Sequence, residues 1–256
     1  MKKILASSLI VISAISSMKA NGEILGGDAG LACEAILCLS SPAKPSECSP
    51  SLARYFGISL SKPHKTAQAR ANFLNQCPAS SMTPEMKQQV ASLSKLTGYC
   101  TEDELNANIE KKKIGTSTND YGFTQYLYAY RVSPKMTENC RILTNLNYSD
   151  YAFKYTCNQQ FYNEVDWRNG YTKEEISKGA FDSLEENLRL EEEKRIEISF
   201  LEWKKLPPSE RTTQSFDNGD KTFYKYYKLE PIYFKKHFIK KDCWVDAKKI
   251  EKMRIL

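Results

Sequence analysis

The sequence predicts an α+β fold: a disulfide-stapled N-terminal helical module followed by a mixed, aromatic-rich strand and helix region. Three observations predict it. Eight cysteines, an even number, all lie downstream of a short hydrophobic leader. Apolar residues recur at helical spacing over residues 29–98. Beyond residue 120 the pattern changes to tyrosine-rich runs that favour strands.

The leader begins Met1-Lys2-Lys3 and continues as an apolar stretch, Ile4 to Ile15, broken only by serines. It is shorter than the roughly 20 residues that span a bilayer. A positive start, a short apolar run and small residues after it predict a cleavable signal peptide over residues 1–20. Two cleavage points fit: after Ala20, or after Ser16 with Ala14 upstream of it. The expected location is therefore the periplasm, and the mature chain is expected to have no transmembrane segment. An exported chain with an even cysteine count oxidises to a disulfide framework. No Cys-x2-Cys spacing is present, and the only histidines are His64 and His237, so neither metal nor cofactor is expected.

The formal charge is +6, and Lys2, Lys3 and Lys19 leave with the leader, which takes it to +3. That is too small for a nucleic-acid-binding balance. Residues 217–256 hold eleven Lys/Arg against six Asp/Glu, which reads as a solvated basic face.

A Cys-rich helical module is expected over residues 21–100. Leu31, Ala32, Ala35, Ile36 and Leu39 form one apolar face, ended by Ser41-Pro42. Ser49-Pro50 reads as a cap with proline in the first turn of a second helix carrying Leu52, Tyr55 and Phe56. A third helix runs from about Lys65 to Asn75, and Pro78 prevents its continuation. Thr83-Pro84-Glu85-Met86 opens a fourth, with Val90, Leu93 and Leu96 as its apolar stripe.

Residues 101–120, with Gly115-Thr116-Ser117-Thr118-Asn119, read as a polar linker and domain boundary. A mixed α/β region then fills residues 121–256. Phe123 to Val132 reads as a strand. Cys140 to Cys157 reads as a hairpin centred on Asn147-Tyr148-Ser149-Asp150, with a helix over 151–164 as its competitor. Thr172 and Glu175 resemble a capping box at the head of one long helix, 173–205. Asp217-Asn218-Gly219-Asp220 marks a hairpin turn, followed by strands over Thr222–Leu229 and Ile232–Ile239. The Lys- and aromatic-rich composition of 221–241 resembles a single-strand nucleic-acid groove, but a half-exposed sheet gives the same alternation.

Catalytic constellations are mostly missing from the sequence; a carboxylate pair for glycoside cleavage stays open, because such a pair is spatial. There is no P-loop, dinucleotide fingerprint or HExxH site. His64 and His237 lack companion motifs, and Glu34 reads as a helix N-terminal acid. No catalytic residue is expected.

Helix geometry constrains the first bridges. Cys33 and Cys38 lie five residues apart on one predicted helix, about 7.5 Å of rise and about 500° of rotation. They project apart and need partners from later segments. Cys38–Cys48 closes the short proline-containing loop, and Cys33 meets Cys77 at the end of an antiparallel third helix. Cys33–Cys48 with Cys38–Cys77 is the competing arrangement. In the second half the hairpin pairs Cys140 with Cys157, and elimination leaves Cys100–Cys243.

Three strings carry a family resemblance: Cys33-Glu34-Ala35-Ile36-Leu37-Cys38-Leu39-Ser40-Ser41, then Pro45-Ser46-Glu47-Cys48 with Ser51-Leu52-x-Arg54-Tyr55-Phe56-x-Ile58, then Arg70-x-Asn72-Phe73-Leu74-Asn75-x-Cys77-Pro78. Over roughly residues 28–80 they resemble the TrbM (KikA/MpfK) family of conjugal transfer proteins. Glu34, Arg54, Tyr55, Phe56, Asn72, Phe73, Leu74, Asn75 and Pro78 are the motif positions beside the cysteines. The resemblance implies a periplasmic accessory of mating-pair formation, working with protein components of a type IV secretion apparatus. It implies no enzymatic activity, and no direct nucleic-acid contact is expected. A small periplasmic hydrolase acting on the cell wall and a secreted interaction protein are the alternatives.

Overall fold

A computed structural model describes residues 26–119, 122–217, 219 and 221–248. The expected leader lies outside the described residues. In chain order the elements are α1 (Gly27–Ser40), α2 (Cys48–Gly57), α3 (Pro63–Leu74), α4 (Pro84–Leu93), α5 (Glu102–Ala107), β1 (Ile109–Thr118) and β2 (Thr124–Val132). Then come α6 (Glu138–Thr144), β3 (Phe153–Tyr155), β4 (Tyr162–Asn163), α7 (Glu164–Asn169), β5 (Tyr171–Ile176) and α8 (Lys178–Asp182). The chain continues with β6 (Arg189–Ile198), α9 (Phe200–Lys205), β7 (Arg211–Asp217), β8 (Thr222–Phe238) and β9 (Trp244–Asp246). The fold is α+β, with a disulfide-stapled helical N-terminal region, as the sequence predicts.

The chain divides into two compact units, and neither is continuous. Of the described residues, the first holds 26–109, 132–159 and 242–248; the second holds those of Glu110–Arg131 and Gln160–Lys241. The second unit is thus two excursions, not a C-terminal domain behind a linker.

In the first unit, α1 turns Ala32, Ala35, Ile36 and Leu39 inward. Helix α2 starts at Cys48, one residue before the expected Ser49 cap, and Pro50 sits in its first turn. The threonine caps are made: Thr83, Thr101 and Thr137 accept hydrogen bonds from the Met86, Glu104 and Cys140 amides at the heads of α4, α5 and α6. Each such cap satisfies an amide with no partner in its own helix. A two-stranded ladder pairs β3 with β9, Phe153 opposite Asp246 and Tyr155 opposite Trp244. The buried Trp244 indole N–H donates to Ser133 O at 2.8 Å.

Four disulfides form, all between residues of this unit. Cys33–Cys77 and Cys38–Cys48 are the pairing that the helix geometry predicts. The other two differ from expectation: Cys100 pairs with Cys140 and Cys157 with Cys243, in place of Cys140–Cys157 and Cys100–Cys243. The expected hairpin does not exist. Cys140 lies on α6, and β3 takes β9 as its partner. Each bridge instead brackets an excursion: Cys100–Cys140 encloses 110–131, and Cys157–Cys243 encloses 160–241. Beside the first, Ser133 N donates to Asn108 O at 2.8 Å.

The second unit contains a sheet ordered β1-β2-β4 and a larger one ordered β5-β8-β6, with β7 also on β8. The expected polar linker is therefore α5 and β1. The side chains of β1 are mostly exposed on both faces, so the strand is held by backbone pairing and shows no apolar alternation in its sequence. The expected helix 173–205 is replaced by β5, α8, a 3-10 turn (Glu186–Leu188), β6 and α9. Glutamate and lysine carry helix propensity, but all ten residues of β6 pair with β8 from Arg189 opposite Lys235 to Ile198 opposite Tyr226. Tertiary pairing overrides a propensity of tenths of a kcal/mol per residue, on the order of 0.5. Thr172 and Glu175 lie within β5, and the capping box that does form is Ser199/Glu202 at α9. The two expected strands after residue 222 are one, β8. Pro231 falls where β8 has left β7 but not yet met β5, so it has a neighbouring strand on one side only. The β7–β8 hairpin is as expected, with Asp217 opposite Thr222 and Gly219 at φ 92°, a value that favours glycine.

Candidate functional site

The motif residues separate into those that build the core and those that stay at the surface. Tyr55, Phe73 and Leu74 are almost fully buried. The Tyr55 hydroxyl donates to Leu93 O, and burial pushes its phenol up to about 12. The Phe56 ring meets the rings of Tyr55 and Tyr99 edge-on at 5.0 and 4.9 Å. Arg54 pairs with Asp28 at 3.0 Å and holds that exposed carboxyl below its usual range. Pro78 follows Cys77 and opens a 3-10 turn, Pro78–Ser81. Glu34 is half-buried, and Asn72, Asn75 and Pro78 are exposed. Asn75 borders a shallow groove with Ala71, Ser80, Lys87 and Val90.

Two cations that sequence reasoning left out of the site hold this module together. Arg70 is buried, and its guanidinium donates to Ile58 O at 3.0 Å, Phe56 O at 3.4 Å and Leu96 O. It also lies 4.7 Å from the Tyr55 ring centroid and 5.5 Å from that of Phe56. A planar fork of donors suits three diverging carbonyls as a lysine would not. Its position three residues before Phe73, on the buried face of α3, was the available signal. Lys44, in the loop closed by Cys38–Cys48, donates to Cys38 O, Ser41 O and the Tyr151 hydroxyl. It thereby satisfies carbonyls at the end of α1. Burial pushes its ammonium down to about 8.

In the second unit, lysines lie over tyrosines. On one face of the β1-β2-β4 sheet Lys111 sits 3.7 Å from the Tyr128 centroid and Lys113 3.7 Å from that of Tyr126. On the opposite face Arg131 pairs with Glu110 at 2.6 Å and covers the Phe161 ring at 4.2 Å. Tyr162 stacks on Trp167, and Lys241 lies 4.7 Å from the Trp167 centroid. On the larger sheet, α9 lays Phe200 and Trp203 on Tyr226, and Arg211 covers Trp203 at 4.1 Å. The aromatic-basic composition of 221–241 thus belongs to a sheet whose β8 side chains are half-buried or exposed.

All eight cysteines are oxidised, so no thiolate is present. Among the described residues no group of three or more His, Cys, Asp or Glu could hold a metal ion. His237 bonds Glu174 at 2.7 Å on an exposed ladder, and His64 is exposed in the first turn of α3. No helix among the described residues is long and apolar enough to cross a membrane.

Comparison with curated proteins and with solved structures returns no match. The TrbM family model matches residues 24–181, more than half of the chain. The match runs well past the three strings at 28–80 and takes in seven of the eight cysteines, β1, β2 and β5. The chain therefore belongs to the TrbM family of conjugal transfer proteins.

Proposed function

We propose that this chain is an exported accessory of plasmid conjugation, acting without catalysis as an assembly or binding factor of mating-pair formation. Its partners on this reading are protein components of the type IV secretion apparatus, met in the periplasm. Family membership supports the setting. The observation that carries the binding role is the contrast in build. Four disulfides fix a small helical core, while the second unit spends its aromatic and charged residues on half-exposed sheets with open edges. Fully oxidised cysteines suit an oxidising compartment. The surface motif residues Asn72 and Asn75 are the positions we assign to partner contact within the helical module.

Deletion of the gene is expected to lower plasmid transfer or pilus assembly, with restoration by the wild-type gene. Periplasmic material should yield a mature N-terminus between Ser17 and Glu23. His64→Ala, His237→Ala and Glu34→Gln are each expected to leave transfer intact. A folded, normally abundant variant of any of these three with abolished transfer would overturn the non-enzymatic reading.

A further inference from the structure

Among the described residues, β1 and β6 are two of the strands of the second unit that end their sheets with one backbone edge unpaired. β1 is terminal in the order β1-β2-β4, and β6 is terminal in β5-β8-β6. Such edges invite another strand, and proteins commonly load them with charge to prevent it. Here the loads are opposite. β1 reads Glu110-Lys111-Lys112-Lys113-Ile114, and β6 reads Leu190-Glu191-Glu192-Glu193-Lys194. Two copies of β1 would set lysine against lysine, and two copies of β6 glutamate against glutamate. Each edge rejects itself and fits the other.

We propose that β1 of one copy of this protein pairs antiparallel with β6 of another, joining copies head to tail. One register matches every charge. Lys111 then faces Glu193 and Lys113 faces Glu191. On the other side of the strands, Glu110 faces Lys194 and Lys112 faces Glu192. The same register sets Ile114, 54% exposed, opposite Leu190. Directly opposed residues of an antiparallel pair share a face, about 5 Å apart, so each pair is within reach.

The existing contacts favour this register. Among the described residues Lys111 and Lys113 make no ion pair; each ammonium is held over a tyrosine ring on one face of β1. Glu191 and Glu193 are exposed and, among the described residues, likewise without an ion pair, although Lys178 lies within electrostatic reach of Glu191. They meet in the proposed register. Glu110 and Glu192 already have intrachain partners, Arg131 and Lys173, and both lie on the other face. Lys111, Lys113 and Glu193, which have no ion pair of their own among the described residues, are therefore among the charges that the second chain complements. A head-to-tail contact of this kind leaves a free β1 and a free β6 at the ends, so it closes into a ring or extends.

Charge reversal tests the inference on the mature, oxidised chain. Sedimentation velocity at about 10 mM salt, where screening is weak, should show species heavier than one chain, and about 1 M salt should disperse them. K111E/K113E and E191K/E193K should each raise the apparent dissociation constant about tenfold or more, because each sets like charges face to face. A 1:1 mixture of the two variants should recover the heavier species, since each variant's altered edge fits the other's. That recovery also shows that both variants are folded. A wild-type chain that stays monomeric at low salt overturns the proposal and assigns the edges to keeping copies apart or to a different protein. Assembly that persists in either variant, or a mixture that fails to recover it while both variants retain wild-type circular dichroism, overturns it as well.

Discussion

The two units of this protein are stabilised by different means. The first contains all four disulfides and, among the described residues, every buried apolar residue except Ala129, Phe181 and Ile239. The second has long ladders, β6 and β7 on β8, and cations laid over aromatic rings. Its large side chains are half-covered: Tyr224 is 57% exposed and Phe223 53%. A disulfide of ordinary size contributes about 2–4 kcal/mol. An exposed cation over a ring contributes about 0.5–1 kcal/mol. The difference teaches where rigidity is needed. The helical unit is fixed chemically, and the sheet unit is built from backbone hydrogen bonds with its side chains left for other work.

The largest test of this contrast is reduction. Four bridges together are comparable with the whole stability of a typical domain, about 5–15 kcal/mol. Dithiothreitol should therefore abolish amide protection in α1–α4, read by hydrogen exchange. Amides of the β6–β8 ladder should lose protection later than those of α1–α4. Simultaneous loss would show that the sheets depend wholly on the bridged unit, and earlier loss in the ladder would break the comparison.

A smaller effect separates the two kinds of packing. Leu74→Ala removes a side chain with no exposure and should lower unfolding stability by about 2–5 kcal/mol. Tyr224→Ala on β8 should change it by about 0.5 kcal/mol or less. Urea midpoints of the two variants give the ratio directly, and equal costs would mean that Tyr224 is packed in solution.

A third effect is in pH. Lys44 has its ammonium pushed down to about 8 from its usual 10.5, so between these values the folded chain binds fewer protons than the unfolded one. Stability from this group therefore rises with pH from about 8 to 10.5. Tyr55 and Tyr151, pushed up by burial from 10.0 to about 12, work the other way, and their contribution falls as pH climbs from 10 to 12. The urea midpoint should rise above pH 8 and turn down beyond about 10. In Lys44→Met the rise should vanish while the fall remains.

The first unit was the more legible in sequence because its signals are local. Thr83 followed by Pro84 marks a helix start within four residues, and five residues of helix suffice to send Cys33 and Cys38 to different partners. The second unit was misread because its signals are distant. β6 becomes a strand only against β8, about forty residues later, and its glutamates read as helix until that partner is known. The polar side chains of β1 gave no alternation to detect. The wrong pairing of Cys100, Cys140, Cys157 and Cys243 followed from the same blindness, since each true bridge encloses an excursion that the sequence did not reveal. Among site residues, the apolar roles of Tyr55, Phe73 and Leu74 were readable from helical spacing. Arg70 offered only its place on the buried face of α3, and Lys44 offered nothing, because their partners are mainly carbonyls, which every sequence contains.

The two enclosing bridges also determine what a backbone cut would do. Loop tips are favoured points of proteolytic attack. Any cleavage between Cys100 and Cys140, or between Cys157 and Cys243, leaves the two pieces joined through sulfur. All of the second unit lies inside one or the other interval. A nicked molecule would keep its mass on a non-reducing gel and fall into fragments only when reductant is added. The exposed sheets can thus be cut by a protease without being shed from the molecule that carries them.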